Sequence, residues 1–163
     1  MTTRQYSPEQ PLAPKQGLII LNCSRDKLVT SRPIPAWDLY QGACVPPLRE
    51  HFADHPARRA RTRILSAAHG LLRPDDVINT YDRRLTTKAQ ALALHNKTVS
   101  AQLDAEFTAA PNLSRMLIIV EPLYLLALQR AFDHLDRLDV TSIMPGPWAW
   151  TDGLAVLTRW GWA

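Results

Sequence analysis

Four short apolar runs, separated by polar and proline-marked stretches, set the rhythm of this chain. Gly17-Leu18-Ile19-Ile20-Leu21-Asn22 closes on polar residues and reads as a buried strand. Thr62 to Ala67 predicts a second strand, Met116 to Val120 a third, and Asp139 to Met144 a fourth. Helical spacing fills the intervals. Leu92, Val99, Leu103 and Phe107 fall on one face of a helix over 86–109, which Pro111-Asn112 closes. Pro122 suits a helix start, and Tyr124, Ala127, Leu128, Ala131 and Leu135 mark the apolar face that follows. Earlier in the chain, Ala36 to Tyr40 begins a helix, Pro46-Pro47 interrupts it, and Leu48 to Ala53 resumes the spacing. Thr151 is placed to cap a last helix with Trp160 near its end.

Strand and helix alternate throughout. Apolar strands in that order argue for a parallel sheet covered on both faces. The expectation is a single three-layer α/β domain over residues 17–163, with a mostly parallel sheet of about four strands and helices on both faces. A flexible, proline-rich leader is expected over 1–16.

Composition narrows the function classes. No apolar run approaches the roughly 20 residues of a membrane span, so no membrane partner is expected. The N-terminus lacks the basic-then-apolar order of a signal peptide, so the expected compartment is the cytoplasm. Cys23 and Cys44 make no disulfide framework, and no Cys/His group has zinc spacing. Reduced thiols, no metal site and no cofactor are expected. The net charge of +4 is compatible with an anionic ligand, a nucleotide or a nucleic acid. The densest basic run, His55 to Arg63, reads either as a solvated face beside a strand or as a phosphate-contacting surface.

Open parallel sheets bind ligands beyond the carboxyl ends of their strands, and that rule nominates four segments. After the first strand, Asn22, Cys23, Ser24, Arg25 and Lys27 offer amide, thiol, hydroxyl and cationic groups that can hold a phosphate or carboxylate. Cys23 reads as a nucleophile, a ligand contact or a small buried residue, and all three stay open. After the second strand, Ser66 and Gly70 permit close approach. His69 is either a general acid or base or a residue pinning its loop. Tyr81 can stack on a planar base, while Asp82 can orient water or simply cap the next helix. Glu121 follows the third strand as a catalytic carboxylate or as the partner of Arg25 or Lys27. Trp148, after the fourth strand, is a possible stacking wall or a core residue.

Read together, Cys23-Ser24-x-x-Lys27, Leu39-Tyr40, Leu65-Ser66-Ala67-x-His69-Gly70-Leu71-Leu72-x-Pro74 and Tyr81-Asp82-x-x-Leu85 resemble a widespread bacterial and phage family of unknown function. The resemblance covers roughly Leu18 to Leu85. The chain departs from the pattern at Glu121 and over Met144 to Trp148, where members usually carry glycine. That family is distantly similar to the YaaA peroxide-stress proteins and to uracil-DNA-glycosylase-like α/β domains. A fold of that type does not fix function, but the candidates converge on strand ends, and the expectation is an enzyme acting on a nucleoside, nucleotide or modified nucleobase, by N-glycosidic hydrolysis or base transfer. Glu121, His69 and Asp82 are then the candidate catalytic residues. The competing expectation is a non-catalytic nucleic-acid-binding or stress-response protein. The aromatic C-terminus, Trp160-Gly161-Trp162, raises the further possibility of a homodimer contact.

Overall fold

The computed structural model describes residues 10–163. Seven strands appear: β1 Gly17–Asn22, β2 Ile34–Pro35, β3 Thr62–Ser66, β4 Gly70–Leu72, β5 Val77–Ile78, β6 Arg115–Ile119 and β7 Asp139–Ile143. The helices are α1 Ala36–Leu39, α2 Val45–His51, α3 Pro56–Arg59, α4 Lys88–Leu94, α5 Ser100–Ala109, α6 Pro122–Ala127 and α7 Ala149–Arg159. A π turn, His95–Val99, joins α4 to α5. The architecture is α/β, with a sheet in the order β4-β3-β1-β6-β7 and helices packed over its faces.

β1 is the centre of the sheet. It pairs in parallel with β3 on one side and β6 on the other, and all six of its residues are buried. A strand enclosed in this way needs an apolar side chain at every position, which explains the unbroken Leu18–Leu21 run. β7 extends the sheet in parallel beyond β6. The fifth strand departs from expectation, because β4 runs antiparallel to β3 at the sheet edge. A tight turn at Ala67–His69 reverses the chain, and Gly70 takes φ +71° where it begins to pair. A Cβ on Gly70 would lie 2.4 Å from Gln102 Oε1, the atom that accepts the Leu71 N–H. Gly70 is therefore needed for conformation and close approach.

Several local expectations are corrected. Pro46 and Pro47 do not interrupt a helix; they lie in the first turn of α2, where a missing N–H costs nothing. The break falls earlier, between Tyr40 and Cys44, where Ala43 adopts φ 55°. Thr151 does not cap α7, which starts at Ala149. The 86–109 helix is present as α4, the π turn and α5, with a capping box in which Thr87 Oγ1 accepts the Gln90 N–H. The π turn shifts the helical phase, so Leu92 is exposed while Val99, Leu103 and Phe107 are buried. Leu135 is also exposed, because the chain after α6 tightens into a 3-10 turn over Gln129–His134.

The basic run is the largest correction. Its central arginines are not solvated. Arg63 is 3% exposed and donates two hydrogen bonds to the Glu106 carboxylate, at 2.5 and 3.1 Å. Arg61 donates to the Gly17 carbonyl at 2.9 Å, and Arg58 to the carbonyls of Gly161 and Trp162. Arg59 pairs with Asp75. A charge inside a protein must be paired and hydrogen-bonded, and Glu106 meets that need from α5.

The tryptophans invoked for a dimer are internal. Trp160 and Trp162 are 7% and 1% exposed, and Trp162 Nε1 donates to the Leu12 carbonyl at 2.7 Å. Leu12, within the expected leader, is thus bonded to both Trp160 and Trp162, while residues 1–9 lie outside the described residues. The tryptophan rings fit because Gly17 has no side chain: a Cβ there would come within 2.7 Å of the Trp162 ring. Gly17→Ala should destabilise the fold by about 1–3 kcal/mol through overpacking, measured by urea denaturation. An unchanged midpoint would mean that the terminal tryptophans do not seal the core as described.

Candidate functional site

The sheet order places a topological switch point between β1 and β6, because the chain passes from β1 to β3 on one side and returns after β4 to β6 on the other. A cleft of about 320 Å³ opens there, at the carboxyl ends of β1 and β6. Asn22, Cys23, Ser24, Arg25 and Lys27 line one side, as expected. Glu121 and Tyr124 form another, and Arg83 and Arg84 complete the wall. Asn22 spans the switch point: its side-chain oxygen accepts the Glu121 N–H at 3.3 Å and its amide donates to the Cys23 carbonyl at 2.8 Å.

The loops meet through a feature too small to read from the sequence. β2 and β5, two residues each, pair antiparallel and tie the loop after β1 to the loop after β4. The Ala36 and Trp37 N–H groups add bonds to the Asp76 and Pro74 carbonyls. Tyr40 and Tyr81 are brought face to edge as a result, and their hydroxyls share a hydrogen bond of 2.5 Å. Tyr81 Oη also contacts Ser66 Oγ at 2.6 Å, while Ser66 accepts the N–H groups of Ala68 and His69. The Lys27 ammonium lies 4.7 Å from the Tyr81 ring centroid and 5.8 Å from that of Tyr40, which suits a cation–π contact.

Cys23, only 7% exposed, has its thiol directed at the Tyr124 hydroxyl, 3.6 Å away. The Leu85 N–H donates to that same hydroxyl. Burial pushes the Tyr40 phenol up to about 12, and it raises the Tyr81 and Tyr124 phenols as well. The proximity of Cys23 adds to the rise at both Tyr81 and Tyr124. All three phenols are protonated hydrogen-bond donors at neutral pH. Both cysteines are free, and burial raises the Cys44 thiol.

Glu121 is exposed in the cleft and forms no ion pair with Arg25 or Lys27, contrary to one expectation; among the described residues no cation lies within 4.0 Å of it. Ser24 lines the cleft, but its hydroxyl is engaged with the Asp26 carbonyl and the Gly42 N–H. Ser66 acts through Tyr81. His69 is exposed on the β3–β4 turn, its ring edge-on to Tyr81 at 5.3 Å, and lines none of the clefts around this edge. Asp82 is likewise exposed and outside them. Trp148 is 73% exposed and does not line the polar cleft; Trp150 is the indole beside it, in a second hollow of about 200 Å³ with Cys44, Ile119 and Pro145–Pro147. That hollow shares Asn22 with the polar cleft. Among the described residues no cluster of His, Cys, Asp and Glu could hold a metal ion, and no helix is long and apolar enough to cross a membrane.

Residues 18–133 match the model of a family of unknown function, DUF6884. The chain belongs to that family. The matched span contains every residue of the polar cleft. No curated protein and no solved structure matches the chain.

Sequence reasoning missed Tyr124, Arg83 and Arg84 as site residues. Tyr124 satisfies the apolar spacing of α6, and only its place within the first turn after a strand end marks it as a cleft residue. The tyrosine network gives a direct test. Because folding raises these three pKa values, their contribution to stability is full below pH 10, the ordinary tyrosine value, and declines as pH rises toward 12. An absorbance titration should show Tyr40, Tyr81 and Tyr124 resisting ionisation near pH 10 and ionising together as the fold is lost. Ionisation of all four tyrosines near pH 10, with the fold intact, would contradict the network.

Proposed function

We propose that the polar cleft binds a phosphorylated nucleoside or modified nucleobase and that the protein hydrolyses or exchanges its N-glycosidic bond. The observation that carries this reading is an unpaired carboxylate, Glu121, set in a wall of otherwise free cations at the switch point of the sheet. Arg25, Lys27, Arg83 and Arg84 suit a phosphate. The adjoining hollow, with Trp150 and the Pro145–Pro147 turn, suits a planar base. Breaking the C–N bond leaves cationic character on the sugar and electrons on the base. Glu121 stabilises that cation and takes the proton of the attacking water. The protonated phenol of Tyr124, which lines the same cleft, supplies the proton to the departing base.

The alternative, a non-catalytic nucleic-acid-binding protein, loses the surface first suggested for it, since Arg58, Arg59, Arg61 and Arg63 are bonded within the fold.

The test is a thermal-shift survey of nucleoside 5′-monophosphates followed by chromatographic assay of base release from those that bind. Glu121→Gln should leave nucleotide affinity within a few-fold and lower base release by about 100-fold or more. Base release untouched by Glu121→Gln, or no nucleotide that stabilises the protein, would sink the proposal.

A further inference from the structure

A second cleft, also of about 320 Å³, adjoins the first and shares Arg83 and Arg84 with it. Its other side is built from α4 and the π turn, which bring Lys97 and Thr98 to the cavity. π turns recur at functional sites, because the inserted residue re-aims the side chains around it. No carboxylate lines this second cleft, and Glu121 is the only one lining the first. Arg25, Lys27, Arg83, Arg84 and Lys97 form no ion pair or side-chain hydrogen bond among the described residues, whereas Arg49, Arg58, Arg59, Arg61, Arg63 and Arg130 all do. Like charges set close together repel, and Glu121 alone among the residues lining the two clefts offsets them. The result is a strip of positive potential running from the end of β1, across the Arg83–Arg84 wall, to the π turn.

One phosphate cannot occupy both sides of that wall. Each cleft is near the lower size limit of small-ligand sites, so a ligand filling both must be longer than a mononucleotide and anionic along its length. Aromatic surface lies beside the first cleft: Tyr81 is half-buried beneath Lys27, and Trp150 lines the hollow that shares Asn22 with it. A positively charged groove that tracks the backbone, with aromatic side chains beside it, is the means by which proteins hold single strands. We infer that the substrate is a nucleotide within a single-stranded nucleic acid, with a flanking phosphate held by Lys97 across the Arg83–Arg84 wall. This rests on the nucleotide reading of the first cleft and adds the class of substrate to it.

The full chain is titrated with thymidine 5′-monophosphate, with a thymidine pentanucleotide and with inorganic polyphosphate at low salt. The pentanucleotide should bind at least 10-fold tighter than the mononucleotide, and the gain should shrink as salt rises. Lys97→Ala should remove most of that gain and leave mononucleotide affinity unchanged. Lys97 is exposed and unbonded, so the substitution leaves the fold intact. Arg159→Ala, at the end of α7, should change neither. A pentanucleotide no tighter than the mononucleotide overturns this inference and leaves the nucleotide reading standing; no binding of either overturns both. A gain that survives Lys97→Ala overturns the assigned path. Polyphosphate binding as well as the pentanucleotide overturns the nucleic-acid identity.

Discussion

The position of β1 governs everything else in this molecule. It is bonded on both sides, buried on both faces, and parallel to both neighbours. All three strands therefore present the same end to the same edge, and the connections part at that edge without covering it. The two edges of the sheet treat charge in opposite ways. At the amino edge, Arg61 and Arg63 are buried against the Gly17 carbonyl and Glu106, and the terminal tryptophans close over Gly17. At the carboxyl edge, arginines, a lysine and a carboxylate remain unpaired around an open cleft. The first arrangement stabilises the fold. The second raises electrostatic energy unless a ligand relieves it, and that asymmetry is the physical basis for locating function at the carboxyl edge.

The carboxyl edge is also firmly supported. The β2–β5 pair and the Tyr40–Tyr81–Ser66 hydroxyl chain fix three loops to one another. Asn22 fixes a fourth segment by accepting from the Glu121 backbone. Loops restrained in this way hold Lys27, Cys23 and Tyr124 in set positions before any ligand arrives, which is what positioning a reactive group requires. His69, edge-on to Tyr81, and Asp82 do not line the cleft, so the proposed reaction is assigned to Glu121, Tyr124 and the cations.

The parallel core was legible because burial on both faces imposes unbroken apolar runs, and Leu18–Leu21 and Met116–Val120 have no competing reading. The placement of Asn22 to Lys27 and Glu121 then followed from the strand-end rule. Other features escaped for definite reasons. β4 has three residues and β2 has two, one of them proline, so neither produces a period. The π turn breaks the helical phase that counted Leu92 as core. Arg61 and Arg63 carry the residue type of a surface, and only the distant Glu106 makes their burial possible. Trp148 and Trp150 are two positions apart and cannot be told apart without knowing where α7 begins.

The central claim is that a nucleotide binds at the carboxyl edge between β1 and β6. Amide chemical-shift mapping during titration with a nucleoside 5′-monophosphate tests it most directly. The account predicts perturbations concentrated at residues 22–27, 83–85 and 121–124, with residues 55–63 unaffected. Perturbations centred on 55–63, or spread without focus over the surface, would contradict it.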